Sequence, residues 1–423
     1  MGGGKSFFRK YLEFPVIYKI AIAFILGIIA AVVLQESISF IKPVGDIFMR
    51  LLKMLAMPII FFTLVLGSSN LELKKFGKVG GEVIAFYFIT SFIAAAIGLV
   101  MALIIKPGVG LSLEGVTFTP ITPPSLIDTM VSWIPTNPFA AMADPGLKQI
   151  LPTIIFALMF GLALSHLKSS EKTHDRKIAS TLVDVFDACS EIMFKIVRFV
   201  LEVAPYGVFA LIAVNIGGQG LGIFTHYGRL IAADYIGMFL HILLVYGVIL
   251  MIFKVNPAKF LWGAKDAMLT AYVTRSSAGT LPVTMRCADE RLGISKQIYS
   301  FSLPLGATIN MDGTGLHMIV VAVMAANLIG HQLTGAEMLI LVVTVVMASV
   351  GTAALPSASL IMLVGVLSSV GLPLEIIGLV AGVDVVSDMM RTMTNVTGDL
   401  TCTTVLSKVN GLMDKTKGVW AKG

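Results

Sequence analysis

Five polar side chains near the C-terminus, Asp384, Asp388, Arg391, Asn395 and Asp399, are spaced by 4, 3, 4 and 4 residues. At 3.6 residues per turn they fall in one narrow stripe along a helix. The flanks, Ile376 to Val383 and Leu400 to Leu406, are mostly apolar, so the stripe belongs to a helix otherwise suited to a bilayer. A charge at the bilayer centre costs ~2.5–3.5 kcal/mol, and four on one helix cost on the order of 10 kcal/mol unless paired or solvated. A solvated face on a cytoplasmic helix is the plain alternative, and the apolar flanks argue against it. A polar pathway whose ligands are charged fits both the stripe and its surroundings.

A second cluster, Asn310-Met311-Asp312-Gly313-Thr314, follows Leu303-Pro304-Leu305-Gly306-Ala307-Thr308. Gly313 predicts a break in the helix that frees backbone carbonyls. Carbonyls with a carboxylate and an amide oxygen form a cage for a hard cation, without Cys or His. Unwound carbonyls for sodium beside half-helix N-termini for an anionic ligand are a recurring transporter arrangement. Asp312, Asp384, Asp388 and Asp399 against Arg275 and Arg391 leave a net charge of −2. A ligand of charge −1 then calls for about three monovalent cations to reach neutrality.

Two interrupted segments resemble each other. Ser277-Ala278-Gly279-Thr280-Leu281-Pro282 and Ser349-Val350-Gly351-Thr352-Ala353-Ala354-Leu355-Pro356 share a Ser-x-Gly-Thr pattern and end in Leu-Pro. Each lies in a stretch too long for a loop and too broken for one helix, which predicts two re-entrant hairpins. Non-helical backbone survives at membrane depth only where it lines a cavity or is buried in protein. Paired broken segments point to a transporter's site. Two coincidental Ser/Gly-rich kinks are the alternative.

The elements that must position these groups are set by composition. Of 423 residues, 56% are hydrophobic and only 13% charged, about half the charge of a soluble domain. Apolar runs such as Ile20 to Leu34, Val83 to Ile105 and Leu230 to Phe253 approach or reach the ~20 residues of a spanning helix. Barrel strands would alternate in polarity over ~10 residues, so an all-α integral membrane protein is expected. The net charge of +6 does not read as nucleic-acid binding, because the positives sit between apolar runs. Lys5, Arg9 and Lys10 precede the first span, and Lys74, Lys75 and Lys78 follow the second. Lys168, Lys172, Arg176 and Lys177 follow the fourth, and Lys254 and Lys259 the sixth. This alternation predicts a cytoplasmic N-terminus. Cys189, Cys287 and Cys402 are scattered, so small apolar fillers are expected rather than a disulfide framework or a metal knuckle.

The segments TRSSAGTLP, NMDGT and DMMRTMTNVTGD, with RLLKMLAMPI near residue 50, IPTNPF near 134 and APYGVFALIA near 204, closely resemble the glutamate transporter family, especially its archaeal and bacterial members. The resemblance covers nearly the whole chain. It implies a homotrimer of elevator-type carriers in the cell (plasma or inner) membrane, with both termini cytoplasmic. Each protomer would have eight transmembrane helices plus two re-entrant helical hairpins. Residues 1–75 would be scaffold helices 1 and 2, and 76–108 helix 3 of the transport domain. Residues 109–225 would be scaffold helices 4 and 5, which trimerise. Residues 226–423 would hold helices 6 to 8 and both hairpins.

Residue by residue, the resemblance implies that Asp388 accepts a substrate ammonium and Arg391 grips its side-chain carboxylate, a bidentate task that Lys does poorly. Asn395 and Ser277 would hold the α-carboxylate and Thr314 the side-chain carboxylate, with Thr392 nearby. Backbone of Arg275 and Leu355 would close over the ligand, and Ser276 and Ser359 complete the set. Na+ is the implied coupling ion. One site would use Asp399 with carbonyls of Gly306, Asn310 and Asn395. A second would use carbonyls of Thr308, Ser349, Val350 and Thr352, formed as the second hairpin closes. A third would use Tyr87, Thr90, Ser91, Asn310 and Asp312. Without the resemblance, the hydroxyls of Thr90 and Ser91 read as bonding back to the preceding helical turn.

The chain departs from that family in places. The second hairpin has Ala354, Ser357 and Ser359 where archaeal members are glycine-rich, and Ala278 replaces a serine of the first. The carboxylate that animal members use for proton co-transport has Met318 in its place, preceded by His317, which reads as a polar neighbour or as a group titrating near neutral pH. Rival functions remain in view. Dicarboxylate carriers lack an acid at the Asp388 position, and neutral amino-acid carriers replace the arginine. An anion channel needs a continuous pore. An intramembrane hydrolase finds no nucleophile elbow or HExxH pattern here.

Overall fold

The computed structural model describes residues 16–69, 73–111, 131, 134–144, 150–219, 222–350, 352, 354 and 357–421. Lys5, Arg9, Lys10 and Leu355 lie outside them, and so do the side chains of Lys74, Lys75 and Lys78. Regular structure among the described residues is helical, apart from one isolated bridge between Ile294 and Met413. Among the described residues three stretches, Gly81–Ile105, Ile223–Ile252 and Lys296–Leu328, are long and apolar enough to cross a membrane by length and composition.

Helix α1 (Val16–Leu34) passes through a 3-10 turn into α2 (Lys42–Ser69). Then follow α3 (Leu73–Ile105), α4 (Ile150–Lys168) and α5 (Thr173–Gln219). Helices α1, α2 and α4 pack on α5 and α2 on α4. Small residues let these helices approach closely. A Cβ at Gly207 of α5 would overlap the Phe48 ring of α2, and one at Gly161 of α4 would overlap the Ser68 hydroxyl. Lys19 of α1, whose side chain is 2% exposed, is paired with Glu202 of α5 at 2.5 Å.

The rest of the chain builds the polar centre. Helix α6 (Ile223–Ile252) contains a π-helical stretch, His241–Tyr246. Hairpin one is α7 (Pro257–Thr274) and α8 (Ser277–Arg286), and hairpin two is α11 (Gly335–Val350) and α12 (Ser359–Ser369). Between them run α9 (Lys296–Ile309) and α10 (Asp312–Leu328), and α13 (Ile376–Val409) closes the fold. Helix α10 is apolar on every side beyond its first turns, the pattern of a fully enclosed helix. Every residue in it except Asn327 is buried, among α3, α6, α11, α12 and α13.

One sequence expectation needs correcting, and one likeness in sequence is not a likeness in place. The break before α10 falls at Asn310 and Met311, both outside helical geometry, and Gly313 lies inside the first turn of α10. Its missing side chain serves close approach instead: a Cβ on Gly313 would strike the Arg391 backbone of α13. The paired Ser-x-Gly-Thr motifs also occupy unlike places. In hairpin one the motif begins the returning helix at Ser277, whereas in hairpin two Ser349 and Val350 end the entering helix.

Candidate functional site

Arg391 lies at the centre of the stripe, 1% exposed and the largest fully buried side chain among the described residues. Nη1 donates to Asp384 Oδ1 at 2.9 Å, and Nη2 lies 2.7 Å from Asp388 Oδ1. The planar fork of a guanidinium can serve two acids at once, and helical spacing sets both acids before it on the stripe, about one and two turns back. Two groups from the hairpin tips converge on the other oxygen of Asp388. Arg275 Nη1 is 3.6 Å from Oδ2, and the Ser357 backbone N–H donates to it at 3.0 Å.

Arg275, Ser277, Thr314, Ser359, Asp388, Arg391, Thr392 and Asn395 all line one cavity between the two tips. These are eight of the ten residues expected to bind substrate. Ser276 has another task. Its hydroxyl accepts from the Gly279 N–H at 3.0 Å, capping α8, and donates to Ala354 O at 2.7 Å, which ties one tip to the other. Asn395 Oδ1 accepts from Gly313 N at 2.8 Å, and its amide nitrogen is 3.3 Å from Thr314 Oγ1. The buried Ser359 hydroxyl, in the cavity wall, has no hydrogen-bond partner among the described residues.

A group of oxygens adjoins this cavity. Asn310 Nδ2 donates to Asp399 Oδ1 and to Asn395 O, each at 2.9 Å. Gly306 is close enough that a Cβ would overlap the Asp399 carboxylate and the Tyr87 hydroxyl. Asn310 Oδ1 is buried with no hydrogen-bond partner among the described residues, an acceptor suited to a hard cation. Ser91 Oγ donates to Asp312 Oδ1 at 2.6 Å, while Tyr87 OH donates to Ser302 O at 3.1 Å. Thr90 bonds back to Tyr87 O at 3.2 Å. The back-bonding alternative therefore holds for Thr90 and not for Ser91. Thr308 and Ser349 turn their hydroxyls to carbonyls of their own helices, Leu305 and Val346, and Thr352, just past α11, turns its hydroxyl back to Ala348 O. The Ser349 carbonyl accepts the Thr352 N–H at 3.0 Å, and Val350 is the last residue of α11.

The profile of the sodium:dicarboxylate symporter family matches residues 16–409. The chain belongs to that family. Among its relatives is a proton/sodium-glutamate symport protein of Bacillus subtilis, 32% identical, with 96% of each chain covered. A proton/glutamate-aspartate symporter of Escherichia coli is 31% identical over 97% of this chain and 96% of its own. Excitatory amino acid transporter 3 of the mouse is 33% identical over 92% of this chain and 84% of its own. The protein is therefore a membrane carrier and not an enzyme.

The symporter also buries titratable groups that the sequence reading passed over. Asp312 Oδ2 accepts from Tyr246 OH at 2.8 Å and faces His241 Nε2 at 3.1 Å. Residues five apart on an α-helix point about 140° apart, and the wider π turn brings His241 and Tyr246 to a common side. Asp234, seven residues before His241, bonds His317 and Ser387. The signal was present: Asp234 and His241 stand two turns apart in an otherwise apolar run, and ionisable groups there mark function. The formal charge count from the sequence left out Asp234.

Proposed function

We propose that the protein is a secondary active symporter that couples inward Na+ flow to uptake of an acidic amino acid, L-aspartate or L-glutamate. The carrying observation is Arg391, buried between two carboxylates in a cavity that both hairpin tips line, beside an oxygen-rich group around Asn310, Asp312 and Asp399. An ammonium entering at Asp388 takes over Oδ1 from Arg391, while Arg275 and Ser357 stay on Oδ2. Arg391 then keeps Asp384 and turns its second edge to the substrate's side-chain carboxylate. Asp388 gives the amino group a partner that a plain dicarboxylate would leave unused. The names of the relatives, with glutamate and aspartate among them, support acidic amino-acid symport, and sodium stands in the name of the Bacillus subtilis relative.

The finer points follow the family resemblance. About three Na+ accompany each substrate, held by carbonyl, hydroxyl and amide oxygens with Asp312 and Asp399. The oxygen types fit a hard cation. The hairpins, α3, α6, α9, α10 and α13 move cargo as an elevator against a trimeric scaffold of α1, α2, α4 and α5, in the cell membrane with both termini cytoplasmic. The test is uptake of radiolabelled L-aspartate into liposomes with and without an inward Na+ gradient. L-glutamate, succinate and L-serine serve as competitors. Na+-dependent uptake competed by L-glutamate but not by L-serine is expected. Uptake indifferent to Na+ and driven by a proton gradient would replace the coupling ion, and competition by succinate alone would replace the substrate.

A further inference from the structure

Helix α13 ends on a left-handed glycine, Gly411 (φ +69°). The Leu412 N–H returns to Ser407 O at 2.8 Å and the Gly411 N–H to Lys408 O at 3.3 Å, the paired bonds of a glycine cap that reverses the chain. The segment that follows runs antiparallel along residues 293–295, the link between hairpin one and α9. The Ser295 N–H donates to Leu412 O at 3.1 Å, Ile294 and Met413 form the isolated bridge, and the Asp414 N–H donates to Gly293 O at 2.7 Å. Asp414 Oδ1 then accepts from the Thr416 N–H at 2.9 Å and from its hydroxyl at 2.6 Å, a local turn of the kind Asp favours.

Beyond that turn the segment meets both arms of hairpin one at their base. On the returning side, α8 runs into a π-helical stretch, Cys287–Arg291. Trp420 Nε1 donates to Leu292 O at 2.8 Å, and a Cβ on Gly418 would overlap Arg291 O. Gly418 is also left-handed (φ +55°), so a larger side chain is opposed on two counts. On the entering side, Val419 lies over Gly263 of α7, where an added Cβ would stand 3.4 Å from Val419 Cγ1. Leu412, Val419 and Trp420 pack against a buried cluster that includes Phe260, Ala264, Leu292 and Ile294. The Lys417–Asp289 pair, at 3.6 Å and about half exposed on both sides, adds little. The two hairpins are thus held differently. Hairpin two leans on α2 and α4 as well as on α3 and α10, whereas hairpin one packs on α9, α13 and the short turn Gly418–Trp420.

We infer that residues 412–420 are a strap that fixes both arms of hairpin one to the end of α13 and so holds Arg275, at the tip, against Asp388. The consequence for a ligand rests on the acidic substrate proposed above; the strap itself does not. Helix α7 has 18 residues and is a rod of about 27 Å, so a tilt of about 5° at its foot moves its tip by roughly 2 Å. That is enough to part a charge pair already at 3.6 Å. With the strap in place, the wall that hairpin one lends to the cavity is fixed. With it off, Arg275 leaves Asp388 and the wall gives way.

The experiment is hydrogen–deuterium exchange read by mass spectrometry on the full-length protein, without ligand, for the wild type, Gly418→Val and Trp420→Phe. Gly418→Val drives the segment off Arg291. Trp420→Phe removes the indole donor and keeps an aromatic ring, and it carries the comparison should the first variant fail to fold. Exchange across residues 275–291 is expected to rise roughly tenfold in Gly418→Val and about threefold in Trp420→Phe, with α11 and α12 unchanged. L-Aspartate affinity at saturating Na+, measured on the same proteins, should fall in the same order, by up to ~10-fold. Hairpin-one exchange equal to wild type in both variants overturns the strap, since the segment then comes away without consequence. Exchange that rises equally in α1 and α2 overturns it too, as general loosening. Raised exchange in hairpin one with unchanged affinity overturns the link from base to tip. Absence of L-aspartate and L-glutamate binding in the wild type overturns the proposed function, while the ligand-free exchange still decides the strap.

Discussion

The two hairpin tips begin from similar motifs and reach the same oxygen by different chemistry. Hairpin one turns in two residues. Arg275 takes a left-handed backbone (φ +54°) and sends its guanidinium toward Asp388 Oδ2, and Ser276 then caps the returning helix. In hairpin two the entering helix ends at Val350 and the returning helix starts at Ser359. Ser357 is also left-handed (φ +59°), but it sends only a backbone N–H to Asp388 Oδ2. One tip thus carries a full charge to the carboxylate and the other a neutral dipole. Closing the second tip over an ammonium buries no extra ion, which suits it to be the tip that yields, whereas displacing Arg275 leaves a guanidinium in need of a partner.

Asp388 is where this contrast can be broken most completely. Asp388→Asn removes the charge that both tips address, and truncating one side of a buried charge pair costs ~2–5 kcal/mol. L-Aspartate affinity at saturating Na+ should fall by roughly 100-fold or more, measured by equilibrium binding; a loss under about threefold would mean that the convergence of the tips on Asp388 has no bearing on substrate. Next comes Arg275→Gln, which removes the charged contact of tip one alone. The 3.6 Å contact is an ion pair, too long for a hydrogen bond, and the Arg275 side chain is only 11% exposed; truncating a buried charge pair costs ~2–5 kcal/mol and this long one falls at or below the low end, so about tenfold weaker binding is expected in the same assay.

Ser276→Ala severs the bond between the tips and removes a helix cap, worth ~1 kcal/mol. Thermal unfolding should drop by a few degrees, with affinity reduced several-fold. An unchanged melting curve would show that Ser276 neither caps nor latches in solution. The smallest effect is expected at tip two. Ser357→Gly relieves a left-handed serine while adding freedom to the unfolded chain, two opposing terms of ~1 kcal/mol each. Affinity should shift by less than about threefold, against the tenfold at Arg275. Equal losses at the two positions would erase the distinction between a charged and a neutral tip.

Much of the site was legible because helical spacing is unforgiving. Asp384, Asp388, Arg391, Asn395 and Asp399 could share only one face, and the structure sets that face against α10 and the hairpin tips. Gly313 was misread because one residue type signals both unwinding and close contact, and only the Arg391 backbone against it decides between them. Asp234 and His241 were missed because averaging hydropathy along α6 hides one acid and one imidazole among apolar neighbours. Thr90 and Ser91 are adjacent and alike in chemistry, yet one bonds its own helix and the other bonds Asp312. No local pattern separates them, since the partner lies more than two hundred residues away in sequence.

The π-helical stretch of α6 has a consequence for the length of that helix. A wide turn accommodates one residue more than the regular helix around it. Deleting one residue between His241 and Tyr246 would let the helix rewind as a uniform spiral. It would also swing everything after the deletion by about 100°, carrying the Tyr246 hydroxyl away from Asp312. Length in this helix is therefore as much a part of the site as residue identity: a substitution changes one side chain, whereas a one-residue deletion re-aims every side chain after it.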